Sequence, residues 1–235
     1  MKQVYYYCIT DKVVEIITVG VNGEPVQSVS HNGLNIVYSN ITTEIRCLEE
    51  NIIAHESVLE ELLKNDATIL PFRFGTCVDE KSKEAILEEK HQLLAKHLDI
   101  LRGKVEISVR ALWNYNSIRN DALLGIDMPL IKIKNENTLN YLNDKMKNYK
   151  IEEKIKEFAK MQSETVHRQL QRSAVEGKYT LMKTNNMFFN GVYLVEKMKM
   201  NEFQSVYMQT VKENENYKFI ITGPWPPYNF CNLNI

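Results

Sequence analysis

The sequence predicts an α+β fold in two domains, and three observations carry that reading. Asn-Gly turn signals at 22–23 and 32–33 sit among β-rich segments. Apolar residues recur at helical spacing in two stretches between Ile45 and Leu101. From Val105 onward, strand and helix patterns follow one another in the order β-α-β-β-α-β. A chain of 235 residues is long enough for two cores. A composition of 44% hydrophobic and 25% charged residues places it among folded globular chains, not disordered ones.

The first element is the β-rich run Val4 to Ile9, stopped by Thr10-Asp11. Strands are expected near 13–20, 25–30 and 34–41, around the two Asn-Gly turns. Thr42-Thr43 reads as a cap for a helix whose stripe is Ile45, Leu48, Ile52, Leu59, Leu62 and Leu63, with Glu residues on the wet side. Asn65-Asp66 ends it. Thr68 to Phe74 reads as a short strand that Pro71 confines to a sheet edge or a bend. Asp79 is the expected cap of a second helix, with Ile86, Leu93, Leu94, Leu98 and Leu101 inward and Arg102-Gly103 as the stop.

Val105, Ile107, Val109, Ala111 and Trp113 alternate with Glu106, Ser108 and Arg110, a strand with one buried and one polar face. A polar loop over 114–136 and a helical region over 137–175, bent near Asn148-Tyr149, come next. Strands at 178–183 and 187–195, joined by an Asn185-Asn186 turn, precede a helix at 200–213 and a strand at 216–222. This order is the ferredoxin-like arrangement. The preferred division is an N-terminal α+β domain, 1–103, and a ferredoxin-like domain, 104–235, that includes an extended tail, 223–235. The tail, Gly223-Pro224-Trp225-Pro226-Pro227-Tyr228-Asn229-Phe230, carries three prolines in four positions, so neither strand nor helix is expected to continue there. Its stiff backbone presents Trp225, Tyr228 and Phe230 either to the chain's own body or to a partner.

Chemistry is hard to find. His55-Glu56 resembles the start of H-E-x-x-H, but Leu59 occupies the place of the second histidine, and no metal site is expected. No phosphate-binding glycine loop, nucleophile elbow or catalytic constellation is present, so neither a cofactor nor an enzymatic activity is expected. A net charge of −1 gives no general drive toward nucleic acid or anionic membrane. Phe189, Gly191 and Tyr193 share a strand face that core packing explains without a bound base. No apolar stretch reaches membrane-spanning length, and the start of the chain lacks a signal-peptide core. Four scattered cysteines fit reduced thiols in a cytoplasmic protein. One internal motif remains, Leu70-Pro71-Phe72-Arg73-Phe74-Gly75-Thr76. There Phe72 and Phe74 should share one face, with Arg73 on the other, aimed at a partner's carboxylate or backbone carbonyls or held in an internal ion pair between strand and helix.

That motif resembles the L-P-x-R-F-G-T segment of the gas vesicle protein F/L family, and the tail is similar to that family's G-P-W-P-P-Y-x-F ending, with Asn229 where serine is common. Glu106 to Trp113, Tyr141-Leu142 with Lys145, and Tyr193-Leu194-Val195 resemble further family positions in order. The resemblance implies two α+β domains, the second ferredoxin-like. It implies an accessory or minor structural protein of gas vesicles, located in the cytoplasm and at the vesicle. The expected partners are the hydrophobic major wall protein and other vesicle accessory proteins, with no nucleic acid and no membrane. Phe72, Arg73, Phe74, Trp225, Tyr228 and Phe230 are the candidates for partner binding or for clasping the tail. The alternative is a small-molecule-responsive regulatory module on a ferredoxin-like scaffold.

Overall fold

The computed structural model describes residues 3–79, 87–124 and 136–231. It is an α+β structure with two sheets. Chain contacts divide into two compact units: Met1–Ile107 with Leu194–Met198 and Gly223–Ile235, and Ser108–Tyr193 with Lys199–Thr222.

The first sheet contains β1 (Gln3–Thr10), β2 (Gln27–His31), β3 (Leu34–Ile41), β4 (Ile69–Pro71) and β5 (Cys77–Asp79). Its order is β2-β3-β1-β4, with β5 also on β1, and all these pairs are antiparallel. Asn32 (φ 48) and Gly33 (φ 83) make the two-residue turn between β2 and β3. Both take the positive φ that such a hairpin requires. β1 is buried from Val4 through Thr10 because both faces of the sheet are covered. A bulge between Tyr6 and Cys8 resets its alternation. Val4, Tyr6 and Ile9 then pack toward α2 (His91–Leu101), through Leu94, Leu98 and Leu101. Tyr5, Tyr7 and Cys8 pack toward α1 (Glu49–Lys64), through Val58, Leu59 and Leu62.

The second sheet contains β6 (Lys104–Leu112), β7 (Glu176–Thr184), β8 (Met187–Glu196) and β9 (Lys218–Trp225), in the order β7-β8-β6-β9. Between them run α3 (Tyr115–Leu123), α4 (Glu136–Gln171) and α5 (Met200–Glu213). α4 buries Ile151, Ile155, Ala159, Val166 and Leu170, a stripe of near four-residue spacing, and α5 buries Phe203 and Tyr207. Trp113 stacks on Phe188 with centroids 4.8 Å apart and donates its indole N–H to the Asn185 carbonyl at 2.7 Å.

Several expectations need correction. Residues 13–20 form no strand: Val13, Ile17 and Val19 are exposed, and the Ile17 and Thr18 amides donate to the Glu61 carboxylate, each at 3.0 Å. α1 starts at Glu49, not after Thr43, and its inner face is Asn51, His55, Val58, Leu59 and Leu62, leaving Leu48 and Ile52 largely outside. Asp79 lies in β5, and Leu93 is half exposed, whereas Ile86 falls outside the described residues. Part of the expected loop is α3, because the Asn114 side chain accepts from the amides of Asn116 and Ser117. α4 runs unbroken through Asn148-Tyr149. Glu106, expected on a polar face, is only 3% exposed. β9 continues through Pro224 to Trp225, which an edge strand tolerates because its outer side needs no amide donor.

Candidate functional site

α1 presents His55 on its apolar face, so the imidazole enters the core against β1 and is 0% exposed. Tyr7 stacks on it at 5.6 Å, and Phe74 meets it edge-on at 5.9 Å. Its Nδ1 lies 2.8 Å from the Tyr5 hydroxyl, and its Nε2 lies 3.0 Å from the Tyr228 hydroxyl. Tyr228 donates its one proton to Glu56 Oε1 at 2.9 Å, so its oxygen must accept from His55 Nε2–H. Nδ1 is therefore the unprotonated nitrogen and accepts from Tyr5, whose oxygen in turn accepts the Gly75 amide at 3.2 Å. The result is a directed chain from Gly75 through Tyr5, His55 and Tyr228 to the Glu56 carboxylate, with a neutral imidazole at its centre.

The ionisation behaviour agrees with that arrangement. Burial pushes the His55 imidazole down to about 4, against a backbone hydrogen bond at Phe72 that raises it. Burial holds the Glu56 carboxyl above its ordinary value, opposed by the Tyr228 hydrogen bond. The phenols of Tyr5 and Tyr228 are pushed up chiefly by burial. These groups hold structure: His55 has both nitrogens committed and no exposed surface, so it is poorly placed for proton exchange with a substrate.

A second polar contact secures the tail two residues from β6's start. Glu106 accepts from the Asn229 amide at 2.8 Å and from Asn229 Nδ2 at 2.6 Å. Pro226 and Pro227 are buried. Residues Tyr228–Phe230 form a single 3-10 turn. Tyr228 packs against the α1-side core, and Phe230 with Cys231 packs against the α2-side core. Trp225 is half-buried as the last residue of β9.

The internal motif divides differently from its expected pattern. Phe72 is buried toward α2, with Tyr6 at 5.3 Å, whereas Phe74 joins the α1-side core beside Tyr5 and His55. The strand ends at Pro71, so the two phenylalanines do not obey strand alternation. The Phe72 amide donates to the Tyr7 carbonyl at 2.9 Å. The Arg73 carbonyl accepts from the Thr76 amide and hydroxyl, at 3.2 and 2.7 Å, closing a tight loop around Gly75. Arg73 itself is exposed, and among the described residues no hydrogen bond or ion pair engages its side chain.

Thus all six candidate residues lie within the first unit, and the network that ties Tyr228 to the internal motif runs through Tyr5, His55 and Glu56, with Glu106 and Asn229 holding the tail beside it; from sequence, His55-Glu56 is weighed only as the start of a metal motif. A signal for His55 was available, since positions 55, 58, 59 and 62 lie on one helical face. Among the described residues, no three His, Cys, Asp or Glu side chains converge to hold a metal ion, and no helix is long and apolar enough to cross a membrane.

Comparison with known proteins gives this geometry its setting. The family described as Gas vesicle synthesis protein GvpL/GvpF matches residues 3–232. The chain belongs to the GvpL/GvpF family. As a gas vesicle synthesis protein, this family member takes part in gas vesicle formation. It is 26% identical over 235 residues to Gas vesicle protein F1 of Halobacterium salinarum, covering 98% of this chain and 92% of that protein. It is 22% identical over 252 residues to Gas vesicle protein L1 of the same organism, covering 97% of this chain and 89% of that one. The crystal structure of GvpF from an Anabaena species superposes with a TM-score of 0.80 at 20% identity, covering 100% of this chain and 98% of that chain. GvpF from Microcystis aeruginosa gives 0.79 at 20% identity, over 98% and 99%. Both crystal structures share the fold of this GvpL/GvpF family member.

Proposed function

We propose that this GvpL/GvpF family member acts in gas vesicle assembly by binding the hydrophobic wall protein and other vesicle components, in the cytoplasm, without catalysing a reaction. The observation that carries the reading is the convergence of the two family motifs on one buried network. Gly75 of the internal motif and Tyr228 of the tail are tied through Tyr5 and His55. The network stiffens the loop that holds Arg73 outward, and a pre-ordered cation loses little freedom on meeting a partner's carboxylate. A wall protein with a gas-facing apolar side is prone to indiscriminate association before assembly, and a soluble partner limits that hazard. We further read the second sheet, with its order β7-β8-β6-β9 and its helices α4 and α5, as the ferredoxin-like domain of the family.

Arg73→Glu tests the proposal. Tagged wild-type protein is expected to retain the wall protein in a pull-down, and the variant to retain at least about tenfold less, with its melting temperature unchanged. Charge reversal at an exposed site should leave stability within about 0.5 kcal/mol. Undiminished capture by the variant would remove Arg73 from the contact. No capture by the wild type, together with normal vesicles after deletion of the gene, would overturn the function.

A further inference from the structure

A polar cavity of about 200 Å³ lies at the far end of the first unit, where α1 and α2 both finish. Four cationic side chains line it, Lys12, Arg102, Lys104 and Lys197, against two carboxylates, Asp11 and Asp66. They come from separate stretches of chain: the end of β1, the turns after α1 and α2, and the residue following β8. We propose that this cavity binds a tetrahedral oxyanion, a phosphoryl or sulfuryl group.

The lysines point to an anion. Lys12, Lys104 and Lys197 have one carboxylate among them, Asp66, because Asp11 and Asp99 both go to Arg102, and the carboxyl ends of α1 and α2 add only about half a negative charge each. Arg102 is matched, meeting Asp11 at 2.6 Å and Asp99 at 3.0 Å. Asp66 is shared, 2.7 Å from Lys197 Nζ and 3.9 Å from Lys12 Nζ. Among the described residues, Lys104 Nζ meets only main-chain carbonyls, of Ile100 at 2.5 Å and Arg102 at 3.5 Å. Donors approaching from several chain segments suit a tetrahedral group, which offers acceptor oxygens in as many directions, better than a planar carboxylate.

Asp66 supplies the means of entry. It follows α1 with φ 56, and its carboxylate is 75% exposed although Lys197 and Lys12 hold it below its ordinary ionisation range. It occupies the lysines as an internal competitor, and an incoming oxyanion displaces it toward solvent. Asp66→Asn, which keeps a residue tolerant of positive φ, should therefore strengthen binding, whereas Lys197→Gln should weaken it.

The test uses the full chain in thermal unfolding, titrated with inorganic phosphate and separately with glycerol phosphate, against sodium chloride at matched ionic strength. Wild type should show a saturable rise of about 3 °C or more at millimolar ligand. Asp66→Asn should lower the half-saturating concentration by about threefold or more, and Lys197→Gln should raise it by at least as much. Preference for phosphate marks a free oxyanion as the ligand, and preference for the ester marks a phosphorylated metabolite. A rise no larger than the salt control, or a saturable rise that neither substitution moves, would overturn the proposal. No vesicle component enters the experiment, so its outcome is independent of the partner binding proposed above.

Discussion

Tyr228 and His55, 173 positions apart in the chain, share a hydrogen bond of 3.0 Å. The tyrosine is the polar end of the tail, and the histidine is the buried centre of α1's inner face. Each supplies what the other lacks: a donor N–H for a phenol oxygen already committed to Glu56, and an acceptor for a ring nitrogen with no water around it.

Tyr228→Phe should destabilise the protein by about 2 kcal/mol. The ring still fills its place, but His55 Nε2–H and the Glu56 carboxylate both lose a partner in a largely buried setting. Urea unfolding of the purified variant gives the value. A loss below about 0.5 kcal/mol would mean that water substitutes for the phenol.

Acid should weaken the fold through His55. Its folded value is about 4 against an ordinary 6.5, so the unfolded chain takes up the proton first. The stability is fully present above pH 6.5 and is lost as pH falls toward 4. Between pH 7 and pH 5 the loss from this group is about 2 kcal/mol. Glu56, held above its ordinary value, runs in the opposite sense and offsets part of it. Urea midpoints at pH 5, 6 and 7 should drop in the wild type and drop less in His55→Gln, which cannot titrate. Equal slopes would dissociate the acid response from His55.

Asn229→Ala should cost about 1–2 kcal/mol, because it removes the Nδ2 donor to Glu106 and keeps the main-chain one. Asn229→Ser, with a hydroxyl able to donate, should lose less. Thermal melts of the pair provide the comparison, and an equal loss in both would show that the second donor contributes little.

Gly191→Ala should destabilise by about 1–3 kcal/mol. A Cβ there would stand 2.7 Å from Phe189 Cζ and 2.9 Å from Tyr193 Cε2. Both rings are fully buried, so neither can give way cheaply. A melting temperature within 1 °C of wild type, roughly the resolution of such a measurement, would show that the rings do move.

How far the chain reveals itself depends on the range of the interaction concerned. The Asn32-Gly33 hairpin, the Gly103 stop after α2 and the limits of α5 follow from neighbouring residues, and each was legible. The failures are long-range. The segment 13–20 has the composition of a strand, but the Glu61 carboxylate takes the Ile17 and Thr18 amides from 44 and 43 residues away. Glu106 alternates with buried residues like any outward side chain, yet Asn229 approaches from 123 residues away and covers it. His55 looked like half of a metal motif because local spacing says nothing of Tyr5 or Tyr228. α3 is different: its Asn114 cap was visible, and the polar composition concealed it.

The two contacts that secure Tyr228 and Asn229 have a bearing on biosynthesis. Residues 55, 56 and 106 leave the ribosome long before residues 228 and 229, so the first unit is assembled early but closed late. Until then His55, Glu56 and Glu106 wait with part of their hydrogen bonding supplied by solvent, and the growing chain is open to proteases and chaperones in a way that the released protein is not. A chain held anywhere between residues 107 and 227 would lack both contacts, leaving His55, Glu56 and Glu106 without the partners that Tyr228 and Asn229 supply.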